Sequence, residues 1–329
     1  MSIKDTGNRK KIAGVGSALV DLLAKEDDAF IDALGGAKGG MKLVDSEFIE
    51  DAIKRMKQEP AMVSGGSACN TVAGVGMLGG KAMFVGMLGQ DSLGEIFKHD
   101  LVKSNVEPVL FFSSSPTGKV LSVITPDAQR TMFTCLGAST ELPASIMEKK
   151  IFEDCAIVVV EGYLLFNPDL ITATLKAARD AGALVSLDLA SFDVVEKSKA
   201  LLEEIITDYV DILIANEDEA RAYTGFTNEE KALQGLAENV KIAALKLGER
   251  GSMIASGNKI VRVAPMTGRP IVDTTGAGDL WAAGFLFGLV SGFPLEKCGN
   301  LASACGYEVC QIVGAKIPHD GWERIRSLI

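Results

Sequence analysis

Histidine is scarce in this chain: its 329 residues include only two, His99 and His319. A zinc site built from several histidines is therefore excluded, and a Ser-His-Asp or Cys-His arrangement would have to use one of these two residues. His99 belongs to the helical pattern of residues 93–102, and we predict that His319 lies in a polar C-terminal loop. We expect neither histidine to be catalytic.

Basic residues and long apolar runs are also few. Lys and Arg number 33 against 43 Asp and Glu, a formal net charge of −10, so the clustered cations that neutralise a nucleic-acid backbone are lacking. The most apolar stretch, Leu280–Phe293, is shorter than the roughly 20 residues that span a bilayer and is interrupted by glycines. We therefore expect no nucleic-acid partner and no membrane partner, although helix N-termini could still hold small anions.

No C-x-x-C pair occurs among the six cysteines, and the N-terminus has no uninterrupted apolar segment of the secretory type. We interpret the cysteines as small core residues. The pattern is typical of a reducing compartment, so we expect a cytoplasmic protein.

Apolar runs do alternate with amphipathic helical segments along most of the chain, as in an α/β fold with a mostly parallel sheet covered by helices. Hydrophobic residues make up 47% of the sequence, enough for one sizeable domain over residues 1–329. The predicted strands span residues 12–15, 82–87, 157–160, 184–187, 212–215, 242–246 and 252–255, and the predicted helices span 67–78, 92–102, 169–181, 198–209, 217–224, 228–239, 278–291 and 294–313.

Two segments, residues 25–44 and 106–136, break this alternation. Their short apolar runs and paired glycines are typical of small antiparallel strands and turns. We predict that they pair as a small sheet, a lid formed by about residues 18–45 and 106–137, beside the main domain. The alternative is that both are ordinary long surface loops.

The strongest motif is Asp273-Thr274-Thr275-Gly276-Ala277-Gly278-Asp279, which runs directly into an apolar helical segment. The glycines allow a tight turn with exposed N–H groups, and the helix N-terminus adds partial positive charge, so the turn can hold an anion. An Asp at the same helix start can take a proton from an alcohol while those N–H groups stabilise a transferring phosphoryl group.

This heptapeptide resembles the C-terminal signature of the ribokinase-like, or phosphofructokinase B, family, and the whole chain is most similar to its bacterial adenosine kinase-like members. The resemblance implies a three-layer α/β sandwich with a small β-sheet lid and an ATP-dependent kinase. It also implies that Asp279 is the catalytic base and that the amides of Gly276, Ala277 and Gly278 form the anion hole.

Two N-terminal elements resemble the family's acceptor-binding motifs. Gly65-Gly66-Ser67-Ala68-Cys69-Asn70 opens a helix, where the glycines bring the backbone close to a ligand and Asn70 offers both a donor and an acceptor to vicinal hydroxyls. Asp21 follows the first strand and can accept hydrogen bonds from two hydroxyls. The resemblance implies that Gly65, Gly66, Asn70 and Asp21 bind the acceptor.

Three further elements resemble the family's ATP site. Asn216-Glu217-Asp218-Glu219 corresponds to the motif that organises Mg²⁺ around the phosphates, with Glu219 facing the metal. Lys246 to Gly251 corresponds to the nucleotide-binding loop. The implied ATP-binding residues are Asn216, Lys246, Gly248, Gly251, Thr275, Asn300 and Ser303, and Asp273 with Thr275 also resembles a K⁺ site of relatives.

The lid resembles that of adenosine kinases more than that of ribokinases. It could supply an apolar slot for a purine, together with Arg130 at the active site; the candidate slot residues are Met41, Leu43, Met132, Leu136 and Leu164. We therefore expect a kinase that uses ATP to phosphorylate the 5′-hydroxyl of adenosine. A ribokinase- or fructokinase-like sugar kinase is the alternative, and a non-catalytic nucleoside or sugar sensor is an alternative of another class.

A dinucleotide oxidoreductase is excluded because the turn after the first strand, which begins at Gly14, lacks the third glycine of G-x-G-x-x-G. The expected partners are thus ATP and a small acceptor. The sequence leaves open whether the protein is a monomer or a homodimer.

Overall fold

The computed structural model describes residues 8–127 and 129–329. Its strands are β1 Lys11–Val15, β2 Leu19–Lys25, β3 Met41–Leu43, β4 Ala61–Gly65, β5 Ala82–Gly89, β6 Val106–Ser113, β7 Gly118–Ile124, β8 Arg130–Cys135, β9 Cys155–Glu161, β10 Leu184–Asp188, β11 Ile212–Asn216, β12 Ile242–Lys246, β13 Ser252–Ser256 and β14 Lys259–Val263. Its α-helices are α1 Asp28–Ala33, α2 Ser46–Lys54, α3 Ser67–Met77, α4 Ser92–Lys103, α5 Pro168–Asp180, α6 Phe192–Lys197, α7 Lys199–Tyr209, α8 Glu217–Thr224, α9 Glu229–Ala237, α10 Ala277–Val290, α11 Leu295–Val309 and α12 His319–Arg326.

Nine of these strands form the main sheet, in the order β14-β13-β12-β11-β10-β9-β1-β5-β6. In this order, each neighbouring pair from β12 to β6 is parallel. Strands β13 and β14 continue the sheet with antiparallel pairing. Strand β9 is buried at every residue, as expected for a parallel strand that is covered on both faces. The prediction of a mostly parallel central sheet is confirmed.

Helices cover both faces of this sheet, so the predicted three-layer architecture is also confirmed. One face packs against α3, α10 and α11 through residues such as Val72, Phe285 and Leu301. The opposite face packs against α5 and α7 through residues such as Ile171 and Leu202. All six cysteines are buried and unpaired, in agreement with their interpretation as core residues.

A second, smaller sheet has the order β3-β8-β7-β2-β4. It contains parallel pairs, β2 with β7 and β3 with β8, as well as antiparallel ones, whereas we expected antiparallel strands. Residues 106–113 do not belong to it, because β6 pairs with β5 along its whole length. Proline is uncommon in strands, so Pro108 argued against a strand of the main sheet here. The sheet tolerates this proline because β6 is its edge strand.

The helix predictions were correct in position, with differences at the C-terminal end. Helix α11 stops at Val309 rather than at residue 313, because the carbonyl of Cys310 accepts the N–H of Val272 and the chain turns there. The loop predicted around His319 was wrong: His319 is the exposed first residue of α12 and lies 3.5 Å from Glu323. In the described part of the chain, no helix is long and apolar enough to cross a bilayer.

Candidate active site

The carboxyl ends of the parallel strands place several polar residues at one edge of the main sheet. Strands β9, β10 and β12 end at Glu161, Asp188 and Lys246. Parallel strands all present their carboxyl ends at the same edge, which is where open α/β sheets bind ligands. The motif Asp273–Asp279 lies near this edge: the charges of Asp188 and Lys246, at the ends of β10 and β12, both affect the pKa of Asp279.

Helix α10 begins in the motif itself. Gly276 has the left-handed φ of 72°, and a Cβ there would lie 2.6 Å from the Cβ of Ala315, so only glycine suits this turn. The N–H groups of the first turn have no acceptors inside the helix, although that of Ala277 donates to the carbonyl of Thr274 at 3.1 Å. The N–H groups of Gly278 and Asp279 therefore remain suited to an anion.

The carboxylate of Asp279 contacts helix α3. One oxygen accepts a hydrogen bond from Ser67 Oγ at 2.7 Å and the other from Asn70 Nδ2 at 3.0 Å. The two helices approach closely because Gly74 packs against Ala283. Tertiary packing thus joins two motifs that are more than 200 residues apart, and Asp279 is half-buried where they meet.

Burial raises the pKa of Asp279, with a smaller contribution in the same direction from Asp188, while the hydrogen bonds from Asn70 and Ser67 oppose the rise. A carboxylate with a raised pKa binds a proton more readily than an exposed one. The residue therefore has both the position and the electrostatics of a general base.

The residues predicted to bind the phosphoryl acceptor lie around the carboxylate of Asp279. Asp21 is 8% exposed, and its carboxylate forms no hydrogen bond with another residue of the described chain. The Oδ1 atom of Asn70 is buried and also lacks a partner there. Two unpartnered acceptors beside a candidate base are what a ligand with several hydroxyl groups requires.

Positions 65 and 66 have no room for a side chain, which explains the two glycines there. A Cβ at Gly65 would lie 2.5 Å from Oδ2 of Asp21, and a Cβ at Gly66, where φ is 97°, would collide with the carbonyl oxygen of Ser17. A side chain at position 65 would therefore push on Asp21, and one at position 66 would push on the backbone of Ser17. The structure therefore brings Gly65, Gly66, Asn70 and Asp21 together with Asp279. That they bind an acceptor stays a prediction.

Glu161 is a functional candidate that the sequence reasoning missed. It is 2% exposed, and its two oxygens accept the N–H groups of Ser17 at 2.7 Å and Ala68 at 3.0 Å. This one carboxylate ties the turn after β1 to the start of α3, which carries Asn70. Its position at the end of a buried strand was the only signal in the sequence.

The ammonium group of Lys246, whose charge acts on Asp279, forms an ion pair of 2.8 Å with Asp188. Lys246 also approaches the anion-binding turn, because a Cβ at Gly278 would lie 3.1 Å from its Nζ. Lys246 is therefore mostly buried beside the turn and does not point to solvent. Asp188 was missed because nothing in its local sequence distinguishes it.

Glu219, the predicted magnesium residue, forms a capping box with Asn216 at the start of α8. Its oxygens accept the N–H and the Nδ2 of Asn216 at 2.8 Å and 2.7 Å. Burial raises the pKa of Glu219, and the nearby charge of Asp188 raises it further, whereas Lys246 opposes the rise. This desolvated acidic pair fits a divalent cation that keeps most of its own water, as Mg²⁺ does. The described residues contain no cluster of three or more Asp, Glu, His or Cys that could enclose a metal ion.

The predicted nucleotide-binding residues lie along one side of the sheet edge. Gly248 and Gly251 flank a short 3-10 turn between β12 and β13, with φ of 55° and 88°. Asn300 and Ser303 lie on α11, the first exposed and the second half-buried. A cavity of about 310 Å³ adjoins this helix, and its lining includes residues 266–269 and Tyr307.

Arg130 reaches the active site from the small sheet, as the resemblance implied. Its guanidinium group donates to Thr275 Oγ1 and, at 2.8 Å, to the sulfur of Met132. The candidate K⁺ residues are engaged elsewhere: Asp273 accepts the N–H and Oγ1 of Thr275 and, at 2.8 Å, the N–H of Gly314. Both carboxylate oxygens of Asp273 thus accept hydrogen bonds from the chain itself. A K⁺ site at Asp273 and Thr275 stays a prediction, and no step below uses one.

The candidate apolar slot is assembled only in part. Met41 and Leu43 are 55% and 62% exposed on β3, and Met41 lies beside Met132 in the small sheet. Leu136 is half-buried in the turn after β8. Leu164 is not grouped with them, because it is 7% exposed and packs in the core on the α5 side of the main sheet.

Tyr163, adjacent to Leu164, was missed by the sequence reasoning. It is 44% exposed. Burial of the phenol oxygen raises its pKa to about 12, and the carboxylates of Glu161 and Asp279 add to the rise. The hydroxyl is thus close to the site's carboxylates and stays protonated, so it can donate a hydrogen bond to a ligand.

The family model for pfkB family carbohydrate kinases matches residues 32–320 of this chain. The chain belongs to the pfkB family. Ribokinase from Arabidopsis thaliana is 30% identical over 268 residues, which cover 77% of this chain and 68% of the relative. The kinase is therefore a phosphotransferase that acts on a sugar or nucleoside hydroxyl, and membership of the family implies the use of ATP.

Two solved structures resemble the kinase over nearly its whole length. Adenosine kinase from Sinorhizobium meliloti is 35% identical, with a TM-score of 0.88, over 98% of this chain and 100% of the other. A probable sugar kinase from Rhizobium etli is 34% identical, with a TM-score of 0.89, over 98% and 99% of the two chains. The fold is thus that of ribokinase-like kinases, and the names of the relatives include both acceptor classes.

Proposed function

We propose that the kinase transfers the γ-phosphoryl group of ATP to the 5′-hydroxyl of adenosine, with Asp279 as the base. One observation carries the proposal: the carboxylate of Asp279, in the first turn of α10, accepts a hydrogen bond from Asn70 and acts electrostatically on Asp21, and both of these residues have oxygens without partners in the described chain. One side can orient an alcohol and the other can hold a phosphate. Asp279 would lie next to both.

The proposed reaction needs only a proton transfer and an in-line displacement. The acceptor hydroxyl donates to Asp279, its oxygen attacks the γ-phosphorus, and the bond to the β-phosphate oxygen breaks to release ADP. The hydroxyl proton passes to Asp279. Before a substrate binds, hydrogen bonds from Ser67 and Asn70 hold this carboxylate in place. The acceptor hydroxyl then shares or replaces them.

The charge that develops during transfer has several stabilising groups nearby. The N–H groups at the start of α10 and the ammonium of Lys246 lie next to Asp279, and Arg130 reaches Thr275 in the same turn. Mg²⁺, held through its waters by Glu219 and Asp188, would supply further neutralisation of the phosphate oxygens. We assign the amides of Gly276 and Gly278 to the anion hole. The N–H of Ala277, which the family signature also assigns to it, donates to the carbonyl of Thr274 instead.

ATP would approach along α11. We place its phosphates against Thr275 and Lys246, its sugar beside Gly248 and Gly251, and its adenine against Asn300 and Ser303. The glycines of the turn between β12 and β13 allow close approach of a ligand.

The preference for a nucleoside rests on apolar surface near the acceptor residues. Met41 and Leu43 are exposed on the edge strand of the small sheet, and the ring of Tyr163 lies near the site's carboxylates. A purine can cover such groups, whereas a free sugar would leave them in water. The relative from Sinorhizobium meliloti, named adenosine kinase, supports the same preference.

A sugar kinase is the second candidate, because the ribokinase of Arabidopsis thaliana is a relative at 30% identity. A coupled assay of ADP release with adenosine, other nucleosides, ribose and fructose separates the two candidates. Adenosine should have the highest kcat/KM and should give a 5′-phosphate by ³¹P NMR. Turnover of ribose or fructose with inert adenosine would refute the nucleoside proposal, and binding of adenosine without turnover of any acceptor would favour a sensor.

A further inference from the structure

The segment between α11 and α12, residues 310–318, contacts the turn that precedes α10. We call this turn, residues 272–276, the catalytic turn. The carbonyl of Cys310 accepts the N–H of Val272 at 2.8 Å, and the N–H of Gly314 donates to Asp273 at 2.8 Å. Ala315 packs against Gly276. These contacts hold the segment against the start of α10.

Lys316, the next residue, reaches across to the acceptor side. Its Nζ donates to Ser64 Oγ at 2.8 Å. Ser64 is 1% exposed, and its N–H donates to Asp100 at 2.8 Å. Because Ser64 directly precedes Gly65, the half-buried Lys316 joins the strand that carries the acceptor glycines to the segment that supports the catalytic turn.

Lys316 also contributes to the charge balance around Asp21. Burial raises the pKa of Asp21 to about 6, the positive charges of Arg130 and Lys316 oppose the rise, and the negative charges of Asp279 and Asp273 add to it. These four groups come from β8, the segment 310–318, α10 and the catalytic turn. Arg130 belongs to the small sheet, whereas Lys316 belongs to the segment fixed on the catalytic turn.

We propose that Lys316 is a positioning residue for the acceptor: through Ser64 it holds β4, which carries the acceptor glycines, against the catalytic turn. Its positive charge also favours the carboxylate form of Asp21. In that form Asp21 accepts two hydroxyl groups of the acceptor, whereas a protonated Asp21 loses acceptor capacity. The inference rests on the proposed function, since it assumes that Asp21 binds the acceptor. Lys316 itself touches neither substrate.

The test compares Lys316→Met and Lys316→Arg with the wild type, with Lys259→Met on the exposed strand β14 as the matched control. Initial rates are measured against adenosine and against ATP between pH 5 and pH 9. Lys316→Met should raise the KM for adenosine about tenfold, with kcat and the KM for ATP within about twofold of wild type. The low-pH limb of kcat/KM for adenosine should move up by roughly one pH unit.

Lys316→Arg keeps the charge and should restore the position of the low-pH limb, which a merely structural role would not predict. An unchanged adenosine KM and pH limb in Lys316→Met would overturn the inference while leaving the proposed function intact. Equal losses for both substrates together with a lowered melting temperature would show a folding role and also overturn it. A wild type inactive with every acceptor would instead refute the proposed function, and the inference with it.

Discussion

Replacing Asp21 with Asn should make the kinase more stable while it abolishes tight acceptor binding. Asp21 is 8% exposed, and burial raises the pKa of its carboxyl group from 3.8 to about 6. The folded state therefore binds a proton more tightly at this site than the unfolded state does. At neutral pH the carboxylate is ionised in both states, so folding has to bury a charge that no hydrogen bond from the described chain compensates.

The magnitude follows from the two pKa values. A difference of this size corresponds to about 3 kcal/mol of stability that the wild type lacks above pH 7. As the pH falls through 6, Asp21 becomes protonated in the folded state, and the deficit shrinks to about half at pH 5 and vanishes below the unfolded pKa of 3.8. Asn has the same shape without the charge, so Asp21→Asn should gain at most about 3 kcal/mol, or roughly 4 °C in Tm for a chain of this length. The folded-state pKa already includes the attraction of Arg130 and Lys316. Burial of an Asn amide without hydrogen-bond partners makes this an upper bound.

Thermal and urea unfolding of Asp21→Asn and wild type at pH 7.5 and pH 5 measure the effect, with the exposed Asp208→Asn as the control. We expect stabilisation at pH 7.5 that is about half as large at pH 5, no change in Asp208→Asn, and an adenosine KM raised at least tenfold in Asp21→Asn. Equal stability of Asp21→Asn and wild type at both pH values would refute the reasoning, because the buried carboxylate would then cost nothing. Normal adenosine affinity in this variant would show that Asp21 does not bind the acceptor.

Three further variants test the rest of the site. Asp279→Asn should lower kcat by roughly two to four orders of magnitude with the KM for ATP nearly unchanged, since a positioned base contributes that much; steady-state rates decide, and near-normal turnover would remove Asp279 from the mechanism. Glu161→Gln replaces one of two N–H acceptors by a donor, so it should cost about 1–3 kcal/mol in urea unfolding and raise the adenosine KM; an unchanged unfolding midpoint would contradict this. Gly65→Ala should raise the adenosine KM more than the ATP KM, because its Cβ would lie 2.5 Å from Asp21; equal effects on both would argue against local crowding.

The main sheet could be predicted from the sequence because its strands are buried on both faces and therefore read as continuous apolar runs. Strand β9, with the sequence CAIVVVE, is the clearest case. Strands β4, β6 and β14 were not recognised. Strands β4 and β14 begin with exposed residues, and β6 contains Pro108 and lies at the edge of the sheet. The pairing of β4 and β6 depends on neighbours that are distant in the chain.

The catalytic motif was recognisable because its chemistry is local: Gly276, the adjoining amides and Asp279 occupy consecutive positions at one helix start. The contacts of Glu161, Asp188 and Lys316 are not local. Each acts through a partner 58 or more residues away, namely Ala68 and Ser17, Lys246, and Ser64. A lone carboxylate or ammonium carries no signal in the sequence until packing supplies its partner.

The sequence by itself determined the α/β class, the kinase family and the identity of the candidate base, since hydrophobic periodicity and short-range backbone chemistry are written in consecutive residues. Only the tertiary structure decided which charges face Asp21, that Asp279 is held by Ser67 and Asn70, and that Leu164 is in the core. The reason is physical: the ionisation and orientation of a side chain depend on the burial and charge that surround it in space, and residues far apart in the chain provide both.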